Sequence, residues 1–260
     1  MVATLDLTDT QLSQETDRKT IKDYVLTDFR TATIFEKYGL DFCCGGGKTV
    51  LEACQKLGIQ YDDVKLELEN LERFGKGEGA VSRFNEWSIT FLSDYIVQNH
   101  HLYVRKMIPV ILMHADKVAR VHAERWPYMI QVAELFAEIA SELGSHMYKE
   151  EAILFPRLKQ LEASLAAVGT AASLSSPLQL SAPITQMMSE HDVAGDIMAR
   201  IRTLTDHYVL PEGGCNTFRT LLSELHDFER DLHQHVFLEN NILFPKALLI
   251  EEAAQKRSFI

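Results

Sequence analysis

Two eleven-residue segments of this chain repeat one another: His146-Met147-Tyr148-Lys149-Glu150-Glu151-Ala152-Ile153-Leu154-Phe155-Pro156 and His235-Val236-Phe237-Leu238-Glu239-Asn240-Asn241-Ile242-Leu243-Phe244-Pro245. Both read His-x-x-x-Glu, followed at the same offset by Ile-Leu-Phe-Pro. Residues four apart in a helix lie on one face, a turn from each other, so each segment offers an imidazole and a carboxylate to the same neighbourhood. Glu151 and Asn240, one residue further on, are expected to point elsewhere.

The repeat extends upstream, with His101 placed 45 residues before His146 and His191 placed 44 before His235. A helical hairpin turning between Ala123 and Pro127 puts His101 about 22 residues before the turn and His146 about 19 after it. At ~1.5 Å per residue these depths differ by only ~5 Å, so the two imidazoles meet at one level of an antiparallel pair. The same holds for His191 and His235 around Pro211. His100 adjoins His101, only one of the two is expected to face the interior, and depth alone does not choose between them. Four helices thus bring four histidines and two carboxylates, Glu150 and Glu239, into one layer.

Such a set suits a dinuclear iron centre, each metal taking two imidazoles and the glutamates bridging between them. Oxygen and imidazole donors favour iron or manganese, and with no thiolate nearby an iron-sulfur cluster or structural zinc is disfavoured. His122 lies 21 residues beyond His101. That is ~31 Å along a straight helix, so it joins the site only if Pro109 breaks the helix. His114, His207, His226 and His233 read as structural or solvent-facing.

Around these segments the apolar periodicity is helical throughout. Four long patterns run over 83–123, 128–165, 182–209 and 215–249, separated by Arg125-Trp126-Pro127, by an Ala/Ser/Pro-rich crossover at 166–183, and by Pro211-Glu212-Gly213-Gly214. The expected architecture is an all-α bundle. Upstream, residues 1–20 read as a polar arm. A helical pattern then begins at Ile21 and is broken by Gly45-Gly46-Gly47, and two shorter ones run from Lys48 to Leu57 and from Asp62 to Phe74. Gly75-Lys76-Gly77-Glu78-Gly79 has nothing apolar to bury and reads as a linker, dividing a small helical domain (1–78) from the bundle (79–260).

The net charge of −11 disfavours a nucleic-acid partner. No segment approaches the ~20 apolar residues of a membrane span, and the N-terminus lacks signal-peptide character, so a cytoplasmic location is expected. Cys43, Cys44, Cys54 and Cys215 have neither disulfide-framework nor zinc-knuckle spacing and fit a reducing compartment. Cys43 and Cys44 precede a glycine run and a helix, where the helix dipole is expected to favour thiolate. A disulfide between neighbours is disfavoured, because their Cα atoms are only ~3.8 Å apart. The run Gly45-Gly46-Gly47-Lys48-Thr49 is no phosphate loop, since that motif needs glycine where Phe42 stands and a preceding strand.

Taken together, the chain resembles the iron-sulfur cluster repair di-iron proteins, the repair of iron centres family. The likeness rests on Asp41-Phe42-Cys43-Cys44-Gly45-Gly46-Gly47-Lys48-Thr49 with Leu51-Glu52-Ala53-Cys54, on the two Phe-Pro tags, and on Pro109 with Val118-Ala119-Arg120-Val121-His122. The resemblance implies a hemerythrin-like bundle behind a small Cys-Cys-Gly-Gly domain, and it selects His101 over His100. It also implies two irons bridged by oxo and carboxylate groups, a stress-response role restoring clusters damaged by nitric oxide or peroxide, and damaged iron-sulfur proteins as partners. In that role Cys43 and Cys44 serve as functional thiols that pass on iron or sulfur or react with nitric oxide. Two other readings are a hemerythrin-like module that only binds dioxygen, nitric oxide or iron, and an enzyme reducing nitric oxide at the metal pair. The N-terminal domain is small for its apolar face, so it is expected to dock on a bundle or to pair in a homodimer.

Overall fold

A computed structural model of the protein describes residues 19–74, 84–166 and 179–257. The expected arm, the glycine linker and most of the 166–183 crossover lie outside them. The chain divides into two units, Met1–Glu86 and Trp87–Ile260. Among the described residues there is no strand, only an isolated bridge between Thr20 and Thr49, and no helix is long and apolar enough to cross a membrane.

The first unit holds α1 (Ile21–Thr27), α2 (Thr31–Lys37), α3 (Val50–Leu57) and α4 (Tyr61–Phe74). The first helical pattern is interrupted after Thr27, where the Asp28 carboxylate accepts both the Arg30 backbone N–H and its guanidinium, closing a turn. α1 and α3 each open on a reciprocal cap, Thr20 with Asp23 and Thr49 with Glu52, which satisfies backbone donors otherwise left bare. Ile21, Val25, Phe35, Leu40, Phe42, Cys54 and Val64 bury the apolar faces between them. The loop from Cys43 to Thr49 is pinned to the start of α1 by Ile21 N–H to Lys48 C=O and Lys22 N–H to Gly46 C=O, both 2.9 Å.

The second unit is a four-helix bundle in which three of the long helices carry a π-helical segment. α5 (Ile89–Tyr95) passes through Ile96–His101 into α6 (Leu102–His122). α7 (Tyr128–Lys149) passes through Glu150–Leu154 into α8 (Phe155–Ala166), α9 spans Ser181–Leu204, and α10 (Asn216–Leu238) passes through Glu239–Leu243 into α11 (Phe244–Arg257). The repeated Phe-Pro tag accounts for two of these segments. A helical proline lacks the N–H and crowds the carbonyl four residues back. Here the ladder widens ahead of each proline, so that Phe155 N–H reaches Glu150 C=O and Phe244 N–H reaches Glu239 C=O, five residues back.

α6 packs on α7, α7 on α9, and α10 on both α6 and α9, so the four stems close around one core. Phe136, Phe155, Phe218, Phe228, Phe237 and Phe244 are fully buried there. Each contributes about 1.5–3 kcal/mol relative to exposure. α9 stops at Leu204 rather than at 209 because Asp206, His207 and Tyr208 turn left-handed, at φ 47°, 57° and 64°. α5 starts at Ile89, where the Glu162 carboxylate of α8 accepts the Ile89 and Thr90 N–H groups at 2.7 and 2.9 Å.

Candidate metal centre

The six side chains singled out from the repeat meet in one buried layer of the bundle, none more than 2% exposed: His101, His146, Glu150, His191, His235 and Glu239. They form two overlapping sets, His101–His235 and His146–His191, with Glu150 and Glu239 common to both. Glu150 faces His101 Nε2 through Oε2 and His146 Nε2 through Oε1, both at 3.3 Å. Glu239 faces His235 Nε2 through Oε1 at 3.2 Å and His191 Nε2 through Oε2 at 3.1 Å. The Nε2 atoms themselves approach to 3.3 Å in the first pair and 3.0 Å in the second.

Each repeated segment also supports a histidine of the upstream helix. His101 Nδ1–H donates to Glu151 Oε1 at 2.6 Å, and His191 Nδ1–H donates to Asn240 Oδ1 at 2.9 Å. Phe155 stacks on His101 with centroids 5.9 Å apart, and Phe244 stacks on His191 at 6.2 Å. Glu151 and Asn240 therefore do not point away from the site's business; they fix the ring orientation of two histidines from behind. The π segments explain this, because a wider turn brings positions one and five past each glutamate to the same neighbouring ring. From the other half, Glu190 accepts His146 Nδ1–H at 2.9 Å and is itself held by Lys149 and Gln186. Those partners outweigh the effect of burial and bring the Glu190 pKa down to about 2.

These outer bonds decide where the ring protons sit. With Nδ1 of His101, His146 and His191 donating outward, each neutral ring turns an Nε2 lone pair inward, toward carboxylate oxygens and another ring's Nε2. Both oxygens of Glu150 and Oε2 of Glu239 are buried with no hydrogen bond aligned to them. His235 differs, since its Nδ1 has no outward partner and its Nε2 lies within hydrogen-bond distance of Glu239 Oε1. The other inward acceptors repel one another unless a cation sits among them, and a metal ion would answer that need. The same field draws protons when metal is lacking: burial pulls His146 down, but the Glu150 charge more than offsets it and raises the pKa to about 9. His101 is likewise raised against its burial by Glu150 and Glu239, and burial lowers His235. Glu150 and Glu239 are held below the ordinary carboxylate range, since the facing histidines overcome burial.

His100 and His101 are both buried, against the expectation that only one faces inward. The π-helical segment shifts the helix phase, so His100 lies beside the site, its Nδ1 2.9 Å from Asp231 Oδ1 and its ring stacked on His235 at 5.6 Å. His122 is elsewhere. Pro109 leaves α6 unbroken, and His122 Nε2 lies 3.1 Å from the Cys215 thiol. A cavity of about 270 Å³ between α7 and α9 reaches His146 and His191 past Ser145, Lys149, Ser189 and Glu190.

Cys43 and Cys44 carry thiols with Sγ atoms 3.8 Å apart. The expected helix-dipole activation is absent at Cys43. α3 begins only at Val50 with its terminus capped by Thr49, and Cys43 is buried beside Cys44 and Asp41, which push its thiol pKa well up.

Residues 93–247 match the family model described as Hemerythrin HHE cation binding domain. Residues 17–72 match ScdA_N, a domain of unknown function (DUF542). The chain is 35% identical over 219 residues to the iron-sulfur cluster repair protein YtfE of Yersinia pestis (strain Pestoides F), covering 84% of this chain and 91% of that protein. It is also 35% identical over 215 residues to the protein of the same name from Yersinia pseudotuberculosis serotype IB (strain PB1/+), covering 83% and 90%.

Proposed function

Because the chain belongs to the family of iron-sulfur cluster repair proteins that join a ScdA_N domain to a hemerythrin HHE cation-binding domain, we propose that it repairs iron-sulfur clusters damaged by nitrosative or oxidative stress. Two iron ions would be its resident metals in this reading, one held from His101 and His235 and the other from His146 and His191, with Glu150 and Glu239 available to both sets. The observation that carries it is the buried layer of inward-facing acceptors shared between two histidine pairs. Bound iron supplies exchangeable metal and redox chemistry at that layer.

The protein's own groups hold and shield that chemistry. Glu151, Glu190 and Asn240 keep the imidazole lone pairs aimed inward, so little reorganisation is needed when metal enters. Phe155 and Phe244 cover the rings of His101 and His191 and keep water off them. The cavity between α7 and α9 gives small molecules a way to the His146–His191 edge. Cys43 and Cys44 serve as the functional thiols of the N-terminal unit, handling iron or sulfur in transit.

The test is restoration of activity to an iron-sulfur enzyme damaged by nitric oxide. The iron-loaded protein should restore it beyond an equal amount of free iron; success with free iron and failure with the protein would overturn the reading. Removal of residues 1–78 should weaken repair, whereas unchanged cellular protection would favour a bundle that only binds its ligand.

A further inference from the structure

Outside the bundle, the described residues contain one more group of convergent ligand atoms: Asp41, Cys43 and Cys44, with one atom from each lying within 4.8 Å of the others. The loop is built around the aspartate. Asp41 Oδ1 accepts the backbone N–H groups of Cys43 and Cys44 at 3.0 and 2.9 Å, and Oδ2 accepts that of Gly45 at 2.7 Å. Oδ1 also accepts the Cys43 thiol, at 3.3 Å. This tight wrap requires glycine at two places. A Cβ on Gly45 would meet Asp41 Oδ2 at 2.8 Å, and one on Gly46 would meet the Phe42 carbonyl at 2.6 Å. The backbone thus fixes a carboxylate and two thiols at one spot, with Asp41 exposed and Cys44 half-buried, so the site is open on one side.

Two of the three separations lie close to those of a tetrahedral metal site. Metal–sulfur bonds of ~2.3 Å at a tetrahedral angle set two sulfurs ~3.8 Å apart, and a metal–oxygen bond of ~2.0–2.2 Å sets sulfur and oxygen ~3.6 Å apart. The observed separations are 3.8 Å between the Sγ atoms and 3.3 Å from Cys43 Sγ to Asp41 Oδ1. We propose that Asp41, Cys43 and Cys44 form a three-ligand site for a thiophilic divalent cation, separate from the bundle and with its fourth position open. Two thiolates and a carboxylate select zinc, ferrous iron or cobalt over magnesium and calcium. Binding exchanges protons for metal: each thiol releases its proton to solvent, and two metal–sulfur bonds replace two S–H bonds. As a deepening of the repair function, and resting on it, ferrous iron is the cargo, held where a client's ligands can complete the coordination and take it away.

The test uses the full-length chain with its bundle already loaded with iron, titrated anaerobically with Co(II). One further Co(II) per chain should bind, with sulfur-to-cobalt charge-transfer absorption and the visible bands of a tetrahedral ion. Cys43→Ser with Cys44→Ser should abolish the charge-transfer band. Asp41→Asn should weaken binding by at least ~10-fold. Cys44→Ala, which leaves the backbone donors to Asp41 in place, should weaken it likewise with an unchanged circular dichroism spectrum, so a misfolded Asp41 variant does not decide the matter. Absence of the band in the unaltered chain, its survival in the double serine variant, or undiminished affinity in Cys44→Ala or a folded Asp41→Asn would each overturn the site. Bundle iron, counted separately in every variant, reports on the di-iron reading: an iron-poor bundle with an intact cobalt band would sink that reading and leave the triad standing.

Discussion

Replacing Glu151 by Leu isolates the contribution of a residue that touches no metal. Its Oε1 accepts His101 Nδ1–H at 2.6 Å and the Arg105 guanidinium at 2.7 Å. Leucine fills similar space but accepts nothing, leaving a donor on a fully buried ring without a partner. An orphaned buried donor costs about 1–3 kcal/mol, and loss of such a partner behind a ligating histidine weakens metal binding by ~10–100-fold, which corresponds to ~1.4–2.7 kcal/mol. The two figures agree. The ring also gains the option of moving its proton to Nε2, where it would compete with metal for Glu150. Anaerobic removal of ferrous iron by a chromogenic chelator should therefore show one iron of the pair leaving at ~10–100-fold lower chelator concentration. Glu151→Gln should lie between, because an amide oxygen suffices for His191 at Asn240. Release from the Leu variant indistinguishable from that of the unaltered chain would refute the argument that His101 is held from behind.

Replacement of His101 by Ala should remove iron and alter the visible spectrum, whereas His100→Ala, one residue away and bonded to Asp231, should keep both irons; the reverse pattern would move the ligand by one residue. Glu162→Ala should destabilise the iron-loaded chain to denaturant by ~0.5–2 kcal/mol at neutral pH, through loss of the second cap that its bonds to the Ile89 and Thr90 N–H groups add to that of Ser88 on α5. The bonds from Thr90 and Ile89 hold the Glu162 pKa below its usual value despite burial, so its stabilisation is present above the ordinary carboxylate range and lost as pH falls through the lowered value. The gap between variant and unaltered chain should close in acid, and a gap constant down to pH ~3 would contradict the cap. Cys43→Ser with Cys44→Ser should leave both bundle irons bound while repair falls, and an iron-free double variant would show that the thiols and the bundle are not separable.

What the sequence made legible is what repeats in kind. His146-x-x-x-Glu150 and His235-x-x-x-Glu239 share residue types and offset, and their helical spacing is enough to bring the six side chains into one layer. The supporting shell was hidden for two reasons. Glu151 and Asn240 differ between the halves, so the repeat did not mark them, and regular helix phase aims them away from the ring they hold. Only the π-helical segments correct that phase. Their cause, the Phe-Pro tag, was visible but served merely to align the repeats; phenylalanine at the same offset in both was the signal that a ring on the neighbouring helix needed covering. Glu190 had no counterpart to betray it, since His100 occupies the corresponding place in the other half. In the N-terminal unit, Asp41 stood in the motif that carried the family resemblance. Its part emerged only from the loop geometry, in which three backbone donors turn toward one carboxylate.

Mössbauer spectroscopy of the anaerobically loaded chain, with iron counted on the same sample, tests the central claim most directly. Two irons per chain in magnetically coupled, closely similar environments are the predicted result, lost on Glu150→Gln or Glu239→Gln. A single iron, two uncoupled irons, or a pair retained undiminished in both glutamine variants would contradict the shared-carboxylate centre.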